Sequence, residues 1–168
     1  MNARYDCFCK LTDLLGAQES LTEARRHLHQ FPELSFQEKS TAQWVGDKLQ
    51  AWGYQVTRNV GGHGLVATLK NGEGKGIALR ADMDALPIQE ETQKPYASQH
   101  AGTMHACGHD GHTAMLLGAA QQLAKTKNFK GTVHLVFQPA EEAGKNSGVQ
   151  QIFFFLMIRR PPRSTPGR

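Results

Sequence analysis

Long hydrophobic runs are missing from this sequence of 168 residues. The longest, Ile152–Ile158, has seven residues, whereas a helix needs about 20 to cross a bilayer. The first 15 residues contain four charged side chains and no apolar stretch of the length found in signal peptides. We therefore expect a cytoplasmic protein without a membrane partner.

Cysteine is also scarce, with only Cys7, Cys9 and Cys107 in the chain. An odd number of cysteines without a secretory signal argues against a disulfide framework and is typical of a reducing compartment. Cys107 is therefore predicted to be a free thiol that a metal ion can use.

An excess of one charge is absent from most of the chain. Residues 1–152 contain 15 Lys and Arg and 15 Asp and Glu, so the net charge of +4 comes from four arginines in residues 159–168. A neutral body offers no electrostatic footprint for a phosphate backbone, and we expect no nucleic-acid partner. Hydrophobic residues at 39% and charged residues at 20% are typical of one globular domain.

Hydrophobic periodicity predicts elements in the order α-α-β-β-β-α-β. Ser20–Glu23 and Ser35–Glu38 match the capping-box pattern and are predicted to begin the first two helices. Ile77–Leu79 is continuously apolar, which predicts a strand buried on both faces. The order indicates an α/β sheet flanked by helices. The predicted strands are 54–60, 64–70, 76–80 and 132–137, and the third helix is 110–125.

The composition changes abruptly after Gln151, where the chain becomes IFFFLMIRRPPRSTPGR. This segment could be a buried strand with a basic linker, or an apolar and polybasic membrane anchor. It also resembles a peptide produced when sequencing-adapter DNA is translated at the end of a reading frame. We therefore predict a native portion at 1–152 and a non-native tail at 153–168, and we leave the tail out of the fold.

Three short motifs place thiol, imidazole and carboxylate side chains within about sixty positions of each other. They are RADMDALP at 80–87, HACGHDGHT at 105–113 and FQPAEE at 137–142. Two motifs follow predicted strands and the third begins a predicted helix, which is where ligands bind in open α/β sheets. Because these side chains are the ligands of ions such as zinc, manganese or cobalt, the motifs predict a metal-dependent hydrolase.

Cys107 and His109 are the first candidate ligands. A buried Cys is usually a small hydrophobic residue, and a lone His is usually a structural hydrogen-bonding group. Here Gly108 and Gly111 allow a tight turn, so that alternate side chains can converge on one point. The dipole of the helix that follows is expected to stabilise a thiolate at Cys107.

Glu141 and Glu142 follow Pro139 at the end of a predicted strand. An arbitrary Glu-Glu pair is most often a charged first turn of a helix. At this position the two side chains point in different directions. One carboxylate can therefore bind a metal ion while the other accepts a proton from water.

Asp82 and Asp84 alternate at the end of a strand and are predicted to share a face. One of them could orient His109 through its other ring nitrogen, although an Asp-x-Asp pair is also common in a simple turn. His112 lies about one helical turn beyond His109. It either supports the site or lies on the helix surface, and His105 is a weaker candidate of the same kind.

With these motifs the chain resembles the amidohydrolase family of hippurate hydrolases, N-acyl-amino-acid amidohydrolases and auxin-conjugate hydrolases. The resemblance covers about residues 20–145 and includes ARRHLHQFPELSFQE at 24–38. It implies the N-terminal part of a mixed-sheet, zinc-aminopeptidase-like catalytic domain flanked by helices. It also implies hydrolysis of the amide bond in a small N-acyl amino acid.

The same resemblance implies a role for each candidate residue. Cys107, His109 and Glu142 would be metal ligands, and Glu141 would be the general base. The complete site would hold two divalent ions, with Mn, Zn, Co and Ni not distinguished. A lid domain, absent from this sequence, would offer a route to an oligomer.

The sequence departs from the family because further metal-ligating histidines and the lid are not present. We therefore expect an incomplete and inactive N-terminal fragment. Two other interpretations remain open, a metallopeptidase acting on small peptides and a non-catalytic relic that keeps metal ligands.

Overall fold

The computed structural model describes residues 16–144, together with residues 149 and 152. The predicted order of elements is confirmed. The helices are α1 (Gln18–Gln30), α2 (Lys39–Ala51) and α3 (His109–Thr126), and the strands are β1 (Gln55–Arg58), β2 (Leu65–Asn71), β3 (Gly76–Asp82) and β4 (Gly131–Gln138). The predicted tail at 153–168 lies outside the described residues. None of the described helices is long and apolar enough to span a membrane.

The four strands form one mixed sheet in the order β1-β2-β4-β3. β2 pairs antiparallel with both β1 and β4, whereas β3 and β4 are parallel. A parallel pair needs a crossover connection, and α3 provides it between β3 and β4. The predicted α/β class with a mixed sheet is therefore confirmed, and the carboxyl ends of β3 and β4 lie side by side.

The hydrophobic core lies between the sheet and the helices. Leu49 on α2, Leu65 on β2 and Leu135 on β4 are fully buried in one cluster, together with Phe137. Tyr54 joins the sheet side to α3, because its hydroxyl donates a hydrogen bond of 2.9 Å to the carbonyl oxygen of Ala120. Burial of these large side chains is the main stabilising contribution to this arrangement.

The prediction that β3 is buried on both faces is wrong. Its first five residues are exposed, with Ile77 at 56% and Leu79 at 37%, and only Ala81 and Asp82 at its end are buried. The described elements leave the side chains of residues 76–80 open on both faces of the sheet, and β3 is also an edge strand that pairs with β4 alone among the described residues. A continuous apolar run predicts burial only where other elements cover both faces.

The two predicted capping boxes are also wrong. Ser20 lies inside α1, and its hydroxyl donates to the carbonyl oxygen of Ala17. The Ser35 hydroxyl donates to the carboxylate of Asp84, and Glu38 makes no side-chain cap on α2. Glu33 instead accepts hydrogen bonds from the backbone amides of Ser40 and Thr41 in the first turn of that helix. Tertiary partners have replaced the local pairing that the pattern predicts.

Candidate metal centre

The three sequence motifs meet at one edge of the sheet. β3 ends at Asp82 and β4 ends at Gln138, and these two residues are partners in the parallel register. α3, which carries the chain from β3 to β4, begins at His109, and His109 Nε2 lies 3.7 Å from Asp82 Oδ1. The acidic pair after β4 therefore lies against the first turn of α3.

His109 is the centre of this group. It is buried, and its Nδ1 donates a hydrogen bond of 2.8 Å to the backbone carbonyl oxygen of Asp84. A carbonyl oxygen can only accept, so the proton of a neutral ring must be on Nδ1 and the lone pair on Nε2. Carboxylate oxygens of Asp82, Glu141 and Glu142 lie 3.7–3.8 Å from that Nε2. The free nitrogen thus faces three acidic groups.

The charges around His109 also set its pKa. Burial alone would lower the pKa of the imidazole, but the hydrogen bond to Asp84 and the charges of Asp82 and Asp84 outweigh it, so the pKa is raised. The site therefore favours positive charge at this position, whether it is carried by a proton or by a metal ion.

Cys107, His109 and Glu142 offer ligand atoms that all lie within 4.8 Å of one another. Gly108, between the first two, has φ of 87°, a left-handed conformation that glycine adopts without steric cost. This turn brings the thiol and the imidazole to the same side of the chain. One sulfur, one nitrogen and one carboxylate oxygen form a donor set that fits a borderline divalent cation.

The expectation of a thiolate stabilised by the helix dipole is wrong for these protein groups alone. The pKa of Cys107 is raised to about 11. Cys107 is exposed; a hydrogen bond to Glu142 is the largest cause, followed by partial desolvation and the negative charges of Glu142, Glu141 and Asp82. Several full carboxylate charges outweigh the partial charge of a helix terminus. A metal cation in this site must therefore displace the thiol proton.

Asp84 lies beneath the centre and is completely buried. One of its oxygens accepts hydrogen bonds from the Ser35 hydroxyl at 2.7 Å and the Glu142 backbone amide at 2.9 Å. Burial would raise its pKa, but hydrogen bonds from His109, Ser35 and the amides of Glu142 and Glu141 outweigh it and lower the pKa to about 2. Asp84 is therefore ionised and orients both His109 and the acidic turn.

Asp82 and His112 form a second pair beside the first. His112 Nδ1 donates a hydrogen bond of 2.7 Å to Asp82 Oδ1, and Arg80 lies 3.1 Å from the other carboxylate oxygen. The rings of His109 and His112 are stacked, with centroids 5.6 Å apart. Asp82, His109 and His112 also offer ligand atoms within 4.8 Å. Because His109 has one free nitrogen, the two groups are alternative places for an ion and share that ligand.

A polar network around Asp110, in the first turn of α3, was not found from the sequence. Asp110, the next residue after His109, lies 2.8 Å from His29 Nδ1 and 3.1 Å from Arg25 Nη1. His29 also lies 3.3 Å from Glu90. These contacts tie α1 to the first turn of α3 and so hold the ligand segment. No local motif marks His29, because its partner lies 81 positions away.

His105 lies next to this network and is buried. Neither ring nitrogen has a hydrogen-bond partner among the described residues. Burial is the largest cause that lowers its pKa to about 4, and the nearby charge of Asp110 only partly opposes it. The ring is therefore neutral near pH 7.

The comparisons with known proteins converge on one family. The model of Peptidase family M20/M25/M40 matches residues 78–162, which is half of the chain. The chain is 50% identical over 133 residues to the hippurate hydrolase of Campylobacter jejuni, and 51% identical over 134 residues to the N-acetyl-L-cysteine deacetylase of Bacillus subtilis. Each alignment covers 79% of this chain, but only 34% and 32% of the respective relative.

A solved structure gives the same result for the fold. A Bacillus subtilis protein, described as a dinuclear metal-binding peptidase of the M20 family, superposes with a TM-score of 0.78 at 39% identity. The match covers 86% of this chain and 41% of that protein. Among the curated relatives, by comparison, the chain spans about a third of the length of each.

Proposed function

The chain belongs to Peptidase family M20/M25/M40, and from this premise we propose that its site serves metal-dependent hydrolysis of N-acyl amino acids. The observation that supports the proposal most strongly is the cluster of Cys107, His109 and Glu142 with Glu141 beside it. Metal donors and a free carboxylate occur together at the carboxyl edge of the sheet, where α/β proteins bind ligands.

Three residues have the role of holding the metal. His109 offers Nε2, because Nδ1 is committed to the carbonyl oxygen of Asp84. Glu142 offers a carboxylate oxygen, and Cys107 offers sulfur after it loses its proton. A divalent ion bound there supplies positive charge, which polarises a substrate carbonyl group and lowers the pKa of a water molecule.

Glu141 has the role of moving the proton. Its side chain is 41% exposed, and its Oε2 lies 3.8 Å from His109 Nε2, so it faces the same space as the metal donors without being buried among them. The carboxylate accepts a proton from the attacking water and donates it to the amide nitrogen. The carbon–nitrogen bond then breaks, leaving a carboxylic acid and an amine.

The substrate class comes from the relatives. Hippurate and N-acetyl-L-cysteine, the compounds in two of their names, are both N-acyl amino acids. We extend that class to this chain as a whole, without choosing an acyl group. A small peptide is the second candidate substrate, because the matching solved structure is described as a peptidase.

The 168-residue chain supplies only part of the proposed site. The described residues supply two groups of three ligand atoms that share His109, so we propose that the 168-residue chain binds one ion weakly and lacks the rest of a two-ion site. We also propose that it is inactive alone, acts in the cytoplasm, and has a native portion that ends near residue 152. Ile152 packs against Val60, Val66 and Val136, consistent with that boundary.

The test is a paired binding and hydrolysis experiment. Metal stoichiometry is measured with manganese, zinc and cobalt, and hydrolysis is measured with hippurate, several N-acetyl amino acids and small dipeptides. The hippurate hydrolase of Campylobacter jejuni is the active control. We expect the 168-residue chain to bind metal and its turnover to be far below that of the control. Absence of bound metal contradicts the proposed site, and turnover within about tenfold of the control contradicts the proposed inactivity.

A further inference from the structure

The turn that presents Glu141 and Glu142 has a strained backbone at Ala140. Its φ is 54°, in the left-handed region that residues with a Cβ rarely adopt, and it is completely buried. Such a conformation costs free energy and persists only where the surroundings hold it. The direction of the two carboxylates therefore depends on whatever fixes this turn.

Two buried carboxylates hold the turn from below. Glu38 Oε1 accepts a hydrogen bond of 2.7 Å from the backbone amide of Ala140. Asp84 Oδ2 accepts one of 2.9 Å from the backbone amide of Glu142. Both acids are completely buried, and a hydrogen bond inside a protein is electrostatically stronger than the same bond in water.

Glu38 is placed for this contact by the segment between α1 and α2. Leu34 forms a bridge with Ala85, and the Ala85 amide donates to the carbonyl oxygen of Glu33. The segment therefore lies alongside the Asp84 region, and Glu38 reaches the end of β4. A buried carboxylate is costly unless hydrogen bonds satisfy it, yet Oε2 of Glu38 has no partner among the described residues. Helix capping does not account for this burial, because Glu38 makes no cap bond.

We propose that Glu38 is a positioning residue for the acidic turn: its buried carboxylate holds the Ala140 amide and thereby sets the direction of Glu141 and Glu142. It does not touch substrate or metal. Its effect reaches the site through the backbone of residues 140–142, at the point where that backbone is strained. The inference rests on the proposed metal site, because Glu142 is one of the ligands whose position Glu38 controls.

The test compares two substitutions of nearly equal length at Glu38. Glu38→Gln keeps an oxygen that can accept from the Ala140 amide, whereas Glu38→Met fills the same space without an acceptor. Glu33→Met is the matched control. It removes the acceptor of the Ser40 and Thr41 amides in the neighbouring segment and does not touch the acidic turn.

The readouts are Co²⁺ affinity by calorimetry and the absorption spectrum of the Co²⁺-loaded 168-residue chain. Groups that orient metal ligands typically change metal affinity by 10–100-fold when replaced. We expect Glu38→Met to bind Co²⁺ about tenfold more weakly or worse, with an altered visible spectrum that reports changed coordination geometry. Glu38→Gln and Glu33→Met should bind within about threefold of the unsubstituted chain, with its spectrum.

Each other outcome contradicts a different statement. Equal affinity of the Glu38→Met and Glu38→Gln chains overturns the positioning role, and so does an equal loss in Glu33→Met, which would reveal general destabilisation. If the unsubstituted chain binds no Co²⁺, the proposed metal site itself fails, and the inference fails with it. If circular dichroism shows that Glu38→Met is unfolded, Glu38→Asp takes its place with the same expectation, because its shorter side chain cannot reach the Ala140 amide.

Discussion

His109 donates its Nδ1 hydrogen to the backbone carbonyl oxygen of Asp84 across 2.8 Å, while the carboxylate of the same Asp84 lies 3.3 Å from that nitrogen. One residue thus both selects the tautomer of the imidazole and supplies negative charge beside it. Nε2 is left as the nitrogen that faces Glu141 and Glu142. The remaining chemistry of the site follows from this orientation.

Replacement of Cys107 by Ala should abolish metal binding by the group of Cys107, His109 and Glu142 in the 168-residue chain. The thiol is one of three clustered donors, and two protein ligands do not hold a divalent ion firmly. Metal content after dialysis is the measurement, and Ala101→Ser in the exposed loop before the motif is a control that should keep the metal. Unchanged stoichiometry in Cys107→Ala would show that the thiol is not a ligand.

Substitutions of Glu141 and Glu142 should have different effects in a full-length enzyme that carries this site, one on turnover and the other on metal occupancy. Glu141→Gln should keep its metal but lose about 10²–10⁴-fold in turnover, because an amide cannot accept the proton of water. Glu142→Gln should instead lose metal occupancy. Both quantities are measured on the same preparations. If the two variants behave in the opposite way, the roles within the pair are reversed.

Tyr54 should make stability depend on pH at the alkaline end. Burial raises its pKa to about 12 from an ordinary value of 10.0, so the folded state favours the neutral phenol. The stabilisation that the buried phenol of Tyr54 gives to the folded state is fully present below pH 10 and is lost as pH rises through 12. A difference of about 2 pKa units corresponds to roughly 2–3 kcal/mol.

The comparison is with Tyr54→Phe, in urea unfolding at pH 8, 10 and 11.5. At pH 8 the Phe variant should be less stable by about 1 kcal/mol, because it loses the hydrogen bond to Ala120. Its further loss towards pH 12 should be smaller than that of the unsubstituted chain. Parallel loss in the two chains would show that Tyr54 is not the titrating group.

The exposed face of β3 should tolerate a charge. Ile77→Lys places an ammonium where the side chain is 56% exposed, so the free energy of unfolding should change by no more than about 0.5 kcal/mol. Self-association should decrease, because a lysine on an edge strand opposes pairing with another chain. Sedimentation velocity and urea unfolding measure the two effects.

Leu69→Lys on β2 is the matched control, because Leu69 is 7% exposed and lies in the core cluster. An unpaired charge there should unfold the chain. Equal destabilisation by Ile77→Lys would mean that the face of β3 is covered in solution.

How far the sequence predicts the fold depends on how local each signal is. The order of helices and strands was correct, because hydrophobic periodicity is a property of neighbouring residues. The buried interior of β4 was correct for the same reason. The edge position of β3 was not predicted, because an apolar run carries no information about which strands lie beside it.

For the site, the sequence alone determined which chemical groups come together. The Cys107-Gly108-His109 turn and the Glu141–Glu142 pair are local patterns with a recognisable spacing, and the structure places them within reach of one another. Their roles as ligands and general base remain predictions. Such groups can be recognised from the sequence because the types of residue, their spacing and the turn that glycine allows limit where the side chains can point.

Only the tertiary structure decided what surrounds those groups. Glu38 accepts a hydrogen bond from the amide of Ala140, 102 positions away, and Ser35 donates one to Asp84, 49 positions away. The two residues that match a capping box in the sequence therefore contact the region of the acidic turn instead of each other. The carboxylates that raise the pKa of Cys107 come from the end of β3 and from the turn after β4. Hydrogen bonds and charges act through space over a few ångströms. These contacts are therefore determined by the folded structure and not by spacing along the sequence.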